Sequence, residues 1–307
     1  MAGFKLSIAM VSVSSARGYH LPMTSPRVRL LCPVRGCGEA LDRVDRSFRC
    51  PRGHSFDVAR SGYLNLLQPQ DRRSKQPGDP PEAVAARRRF HDAGHEEPLV
   101  RALLDILAPL PLPGRPAVPT VLDVGCGDGY HLGSLAAARD LEAHGLDLSV
   151  PAVDLAARRH PGPLWVVANA DRFLPYATGS FDFAMSLTAR MNAPELRRVL
   201  SLEGRLLVAV AGADDLVELR EAVLGEGRLR DRVERTVAEF AAAFELEEHR
   251  PLRYRLRLDT AGLADLLSLT YRGARESRRG RLAGLTAMEV TLSRDILVFK
   301  PRSLSPL

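Results

Sequence analysis

Cys32, Cys37, Cys50 and His54 fall in two pairs, Cys32-Pro-Val-Arg-Gly-Cys37 and Cys50-Pro-Arg-Gly-His54, and each pair closes a tight turn that carries a glycine. Such a turn lets both of its side chains point at one ion, and two of them complete a tetrahedron. Three thiolates and an imidazole fill all four positions of a zinc ion and leave none for a substrate, so the expected metal is structural Zn2+. Cys126 lies apart, between Gly125 and Gly127, where a small residue packs; it reads as neither ligand nor nucleophile.

The second constellation is VLDVGCGDGYHLGSL, which puts Asp123 at a strand end, then Gly125, Gly127 and Gly129 in a turn with Asp128 between the last two, then a helix. Glycines let a backbone approach a ligand closely. A dinucleotide site wants G-x-G-x-x-G with pyrophosphate at the helix N-terminus. Here the pattern is G-x-G-x-G behind an acid, which repels a phosphate and suits the ammonium group of S-adenosylmethionine. Asp147 ends the following strand, where a carboxylate accepts from both ribose hydroxyls, and Asp171 after the third strand reads either as a partner for the adenine amino group or as a solvated loop charge.

Those residues need a scaffold, and the chain supplies the pattern of one. Strand-like VLDVG (121–125), HGLDL (144–148), LWVVA (164–168), FDFAMSL (181–187) and RLLVAV (205–210) alternate with helical segments at 130–139, 151–159 and 193–200. That order predicts a parallel sheet covered by helices on both faces. Residues 214–248 read as helical, and RYRLRL (253–258) with EVTLSRDILVF (289–299) as a hairpin at the sheet edge. Ahead of the sheet, helices are expected over 82–90 and 98–107. The run Arg87-Arg88-Arg89 reads as a solvated helix face or a grip on phosphates.

The division expected is a tail or misplaced start over 1–23, a zinc-binding domain over 24–67, a linker with helices over 68–118, and a cofactor-binding α/β domain over 119–307. The small module is too short to fold without its metal. Net charge is +6, and it is uneven: the first 115 residues carry 18 basic against 11 acidic side chains, and the remainder 25 against 26. A basic N-terminal part suits a polyanionic partner. No stretch reaches the roughly 18 apolar residues that a membrane helix needs, which excludes an integral membrane protein of that kind.

Taken together, CPRGHSFDVARSGYLNLL, PGD followed by ARRRFHDAGH, LDVGCGDGY, GLDLS and the final MEVTLS region resemble the bacterial 23S ribosomal RNA guanine-N1 methyltransferases from about Leu31 to Pro301. The resemblance implies a Rossmann-like class I S-adenosylmethionine-dependent methyltransferase domain behind a zinc-binding domain that helps hold RNA. It also implies a cytoplasmic enzyme acting on 23S rRNA, often a homodimer, with Gly127 and Asp128 touching the cofactor. The chain departs from the family's pattern in its C-x4-C first knuckle, in Thr188-Ala189-Arg190 where an aromatic-Ala-Pro sequence is usual, and in Glu96 and Asp215 where an aromatic and a histidine are usual. No general base is singled out by the sequence. Two other readings stand beside this one: a small-molecule methyltransferase, and an RNA-binding or ribosome-assembly protein without turnover.

Overall fold

The computed structural model describes residues 27–72, 77–109, 118–187, 191–225, 227, 229–270 and 286–302. The expected tail over 1–23, part of the linker (73–76), most of the proline-rich break (110–117) and Thr188-Ala189-Arg190 lie outside the described residues.

The N-terminal module is a small antiparallel sheet of β1 (Asp42–Val44), β2 (Ser47–Arg49) and β3 (Ser55–Asp57), followed by the short β4 (Leu64–Asn65). Two helices then lead into the larger unit, α1 (Pro81–Asp92) and α2 (Glu97–Leu107), each opened by a proline where a helix has no use for an amide donor. The larger unit runs β5 (Thr120–Val124), α3 (Tyr130–Ala138), β6 (Glu142–Asp147), α4 (Val150–Arg159), β7 (Leu164–Val167), β8 (Phe181–Leu187), α5 (Ala193–Val199) and β9 (Leu200–Ala211). After it come α6 (Val217–Leu224), α7 (Val233–Phe240), β10 (Phe244–Asp259), α8 (Thr260–Thr270) and β11 (Ala287–Pro301).

These strands form one sheet in the order β10-β11-β9-β8-β5-β6-β7-β4. Six strands, β4 to β9, run parallel, while β11 runs against β9 and β10 against β11. Every residue of β5 is buried, as a strand covered on both faces must be. Its alternate side chains serve opposite cores: Leu122 and Val124 pack with Tyr176 and Phe181, and Val121 packs with Trp165 and Phe183. From β5 the chain winds to β6 and β7 on one side, then crosses to β8 and β9 on the other. The turn after β5 therefore lies at the switch point, where an open α/β sheet forms its ligand crevice.

Two differences from the sequence reading have plain causes. The helical pattern expected over 214–248 stops at Phe240, because from Phe244 to Leu258 the apolar side chains recur at alternate positions and the chain enters the sixteen-residue β10. The hairpin is also longer than the sheet it closes. β11 pairs with β9 only over Arg294–Phe299, so the preceding residues project past the C-terminal end of β9. There Val290 and Leu292 join Phe90 of α1, Leu219 of α6 and Leu263 and Leu266 of α8 in a third core that roofs the switch point.

The zinc-binding module is not a separate globule. Its Leu30, Cys32, Phe48 and Cys50 belong to the same core as Leu122, Tyr176 and Phe181. β4 extends the sheet beside β7, Leu31 N–H donates to Pro175 O at 3.0 Å, and Arg27 Nη2 lies 2.7 Å from both oxygens of the buried Asp182. Asp182 also accepts from Thr120 N–H, which ties that mount to the first residue of β5.

Trp165, the single tryptophan, is buried against Gly145 of β6, where a Cβ would overlap its ring. Gly145→Ala should therefore cost about 1–3 kcal/mol by overpacking. A lowered urea midpoint with a shifted tryptophan emission is the expected result; an unchanged midpoint would show that the β6–β7 packing is looser than described.

Candidate active site and metal centre

The metal centre is built by two backbone turns. Cys37 N–H donates to Val34 O at 2.9 Å and Gly53 N–H to Cys50 O at 2.9 Å, with Gly36 and Gly53 at φ of 73° and 85°. The ligand atoms of Cys32, Cys37, Cys50 and His54 all lie within 4.8 Å of one another. His54 Nδ1 is 3.4 Å from Cys32 Sγ and 3.3 Å from Cys50 Sγ, and Cys37 Sγ is 3.8 Å from Cys50 Sγ. A tetrahedral zinc ion has edges of about 3.8 Å between two sulfurs and about 3.6 Å between sulfur and nitrogen. The four residues are thus positioned for zinc. Burial of Cys50 opposes ionisation, but backbone hydrogen bonds at His54 and Arg52 outweigh it and lower the thiol, whereas burial pushes the neighbouring Cys32 thiol up, so that ligand ionises only as the metal binds.

The second site is a cavity of about 760 Å³ at the switch point, lined by Asp123, Gly125, Gly127, Asp128 and Asp147 from the strand ends and by Arg87, His91 and Glu96 from the roof. Gly125, Gly127 and Gly129 take φ of 83°, 56° and 78°, a left-handed region that side chains other than glycine's rarely enter. Asp147 holds the loop in place: its Oδ2 accepts from Gly127 N–H at 3.0 Å and its Oδ1 from Ser149 N–H at 2.8 Å.

Asp123 behaves differently. It is 2% exposed, and its Oδ1 is buried with no hydrogen-bond partner. Burial first, and the nearby Asp147 second, push its carboxyl up to about 8. Asp128, 3% exposed, is pushed up by burial but held below its ordinary value by His91, whose Nδ1 lies 3.1 Å from Oδ1. Burial and the neighbouring aspartates push the Cys126 thiol well up, which leaves it inert and consistent with packing.

The structure brings Asp123, Gly125, Gly127, Asp128 and Asp147 to one cavity, with Gly129 starting α3 directly behind them. Asp171 stands outside that lining, exposed on the turn after β7, where its N–H donates to Asn169 Oδ1 and its carbonyl accepts from Asn192. Lining residues that the sequence does not single out for this cavity include Arg87, His91 and Arg294. The arginine run divides: Arg88 pairs with Asp92 and Arg89 with Asp265, while Arg87 turns inward to Asp79 at 2.7 Å. Helical spacing carries the signal, since Arg87 and His91 share the face of α1 that includes the buried Val84. Arg294, from β11, is half-buried between Asp215 at 2.5 Å and Glu96 at 3.6 Å. The two departures at positions 96 and 215 thus meet on one guanidinium.

His91, Glu96 and His131 also cluster within 4.8 Å. Their geometry is that of hydrogen-bonded pairs, with His131 Nε2 donating to Glu96 at 2.9 Å and Arg294 already supplying positive charge beside it.

Two outcomes follow from this geometry. Cys50→Ser should release zinc and, because the module shares its core with the sheet, lower the melting temperature of the whole protein; full metal content by elemental analysis would refute the ligand set. Asp123→Asn should stabilise the ligand-free protein. Between the carboxyl's ordinary pKa near 4 and its folded value of about 8 the folded chain keeps a proton that the unfolded chain gives up, so wild-type stability falls as pH rises through that window. The variant's advantage should grow from pH 5 to 8 and then level off, reaching about 3 °C or more in Tm; a gap that does not vary with pH would contradict the raised carboxyl.

Comparison with known proteins places the chain. A family model described as "RlmA, N-terminal" matches residues 30–75, and one described as "Methyltransferase domain" matches residues 121–208. The 23S rRNA (guanine(748)-N(1))-methyltransferase of Streptomyces fradiae is 38% identical over 278 residues, covering 89% of this chain and 96% of that one. Two proteins each named "Putative 23S rRNA (guanine-N(1)-)-methyltransferase" are also similar. That of Micromonospora griseorubida is 38% identical over 78% of this chain and 85% of its own, and YxjB of Bacillus subtilis is 30% identical over 87% and 95%. No helix among the described residues is long and apolar enough to cross a membrane. The fold is that of a class I methyltransferase carrying an N-terminal zinc ribbon, and the chain belongs to the 23S rRNA (guanine-N1)-methyltransferase family.

Proposed function

We propose that this protein transfers a methyl group from S-adenosylmethionine to N1 of a guanine in 23S ribosomal RNA. The observation that carries the reading is the buried Asp123 carboxyl at the end of β5, whose Oδ1 has no hydrogen-bond partner and whose ionisation burial and Asp147 oppose, in a cavity floored by glycine backbone. A cation relieves such a group and a phosphate does not. The fit to a sulfonium donor with an ammonium group is therefore chemical as well as topological.

The bound donor supplies an electrophilic methyl group, and the rest of the work falls to the chain. Gly125 and Gly127 leave the floor of the cavity open to close approach, and Gly129 lets α3 start directly behind it. Asp147 keeps lone pairs for ribose hydroxyls after accepting two backbone amides, since a carboxylate offers about four acceptor sites. Asp128, fixed by His91, borders the same space. Asp171 as the partner of adenine requires the base to extend from Asp147 toward the neighbouring β7.

Guanine N1 carries a proton that must leave. Burial opposes ionisation of Glu96, yet His131 and Arg294 hold its carboxyl down to about 2, which makes it a poor base at neutral pH. The imidazoles of His91 and His131 line the same cavity, and an imidazole nitrogen placed there can take up the proton directly or through a water. Holding the reactants in line supplies most of the rate, and the attacked edge is exposed when the base lies in an RNA loop or flips out of its stack. The zinc ribbon, in the more basic part of the chain, is the module suited to hold that RNA.

Purified protein with labelled S-adenosylmethionine and unmodified 23S RNA should incorporate label and create one new primer-extension stop, because methyl at N1 blocks base pairing. Folded, zinc-loaded protein that yields neither label nor stop would defeat the proposal. Label transfer to small acceptors alone would favour a small-molecule enzyme, and RNA binding without transfer would favour an assembly factor.

A further inference from the structure

Four aspartates border the donor end of the main cavity: Asp79, Asp123, Asp128 and Asp147. An amino acid is a zwitterion, and its carboxylate would meet repulsion there unless a cation stood among them. Arg87 does. It reaches the cavity from α1, and its Nη2 is fixed by Asp79 at 2.7 Å. The opposite nitrogen, Nη1, lies 3.3 Å from where a Cβ on Gly127 would be and makes no hydrogen bond among the described residues. The missing side chain of Gly127 thus lets the guanidinium lie against the loop backbone, where even a methyl group would be tight, and its Nη1 donors are left unused at the edge of the cavity.

Building on the donor assignment above, we propose that Arg87 receives the carboxylate of the donor's amino acid end, with Asp79 as the residue that positions it. A guanidinium presents paired N–H donors that match a carboxylate, whereas a lysine ammonium at the same place offers a point charge. Asp79 comes from the segment that joins the zinc ribbon to α1, and its carbonyl accepts from Ser149 Oγ at 2.7 Å, next to Asp147. The connector and the turn after β6 are thereby pinned to the same guanidinium, so the donor's two ends are read by elements that hold each other.

Calorimetry on the full-length, zinc-loaded protein tests this with two ligands: S-adenosylmethionine, and decarboxylated S-adenosylmethionine, which keeps the ammonium but lacks the carboxylate. Wild type should prefer the first by about 10- to 100-fold. Arg87→Met should lose that preference by weakening the first ligand alone, and Arg87→Lys should lose part of it. Arg87→Lys keeps the charge beside Asp79, so it carries the comparison if Arg87→Met does not fold by circular dichroism. Equal weakening of both ligands by either variant, or a wild type that does not distinguish them, overturns the role of Arg87 while leaving the donor assignment intact. Wild type that binds neither ligand overturns the donor assignment, and this proposal with it.

Discussion

A carboxyl group kept dry at the end of a buried strand is the constraint on which the site depends. Asp123 is the polar residue in an otherwise apolar run, and placing it between two covered faces of a sheet is costly unless something outside the protein relieves it. Its surroundings make no attempt to do so. The loop that follows gives the Gly127 amide to Asp147 and the Gly125 and Cys126 amides to the Leu146 carbonyl, the roof's arginines are held by other carboxylates, and Asp128 is taken by His91. The cost left on Asp123 is what the cationic donor proposed above would relieve.

Much of this was legible in the chain. Period-two and period-3.6 patterns located the five central strands and the helices between them within a few residues, and metal-ligand spacing found all four members of the zinc cluster. The glycine loop and the two strand-end aspartates arrived in one cavity for the same reason: a parallel sheet carries its strand ends to one edge. What escaped notice depends on contacts between elements far apart in sequence. Arg87 looked like its neighbours Arg88 and Arg89 until α1 was seen to lie over the loop, and Arg294 has no local signature at all. The helix α8 between the hairpin strands was likewise missed.

The substitutions at positions 96 and 215 illustrate how a pocket wall changes as a unit. Each places an acid where the family's pattern has an aromatic or a histidine, and a lone buried acid would be destabilising. Together they clasp Arg294, which comes from the part of β11 that pairs with the last residue of β9. The roof is thus tied to the sheet by charge as well as by the apolar cluster around Phe90 and Leu266.

The seating of the zinc ribbon on the far edge of the sheet has a consequence for the order of assembly. Its segment leaves the ribosome before the sheet does, yet β4 needs β7, Leu31 needs Pro175 and Arg27 needs Asp182, a partner 155 positions downstream. Metal capture can precede those contacts, but docking cannot, because the receiving surface does not exist until most of the sheet has been synthesised. Until then the ribbon travels as a tethered, metal-stapled piece, and the outer edge of β7 stays open to other strands; its arrival both completes the core and closes that edge.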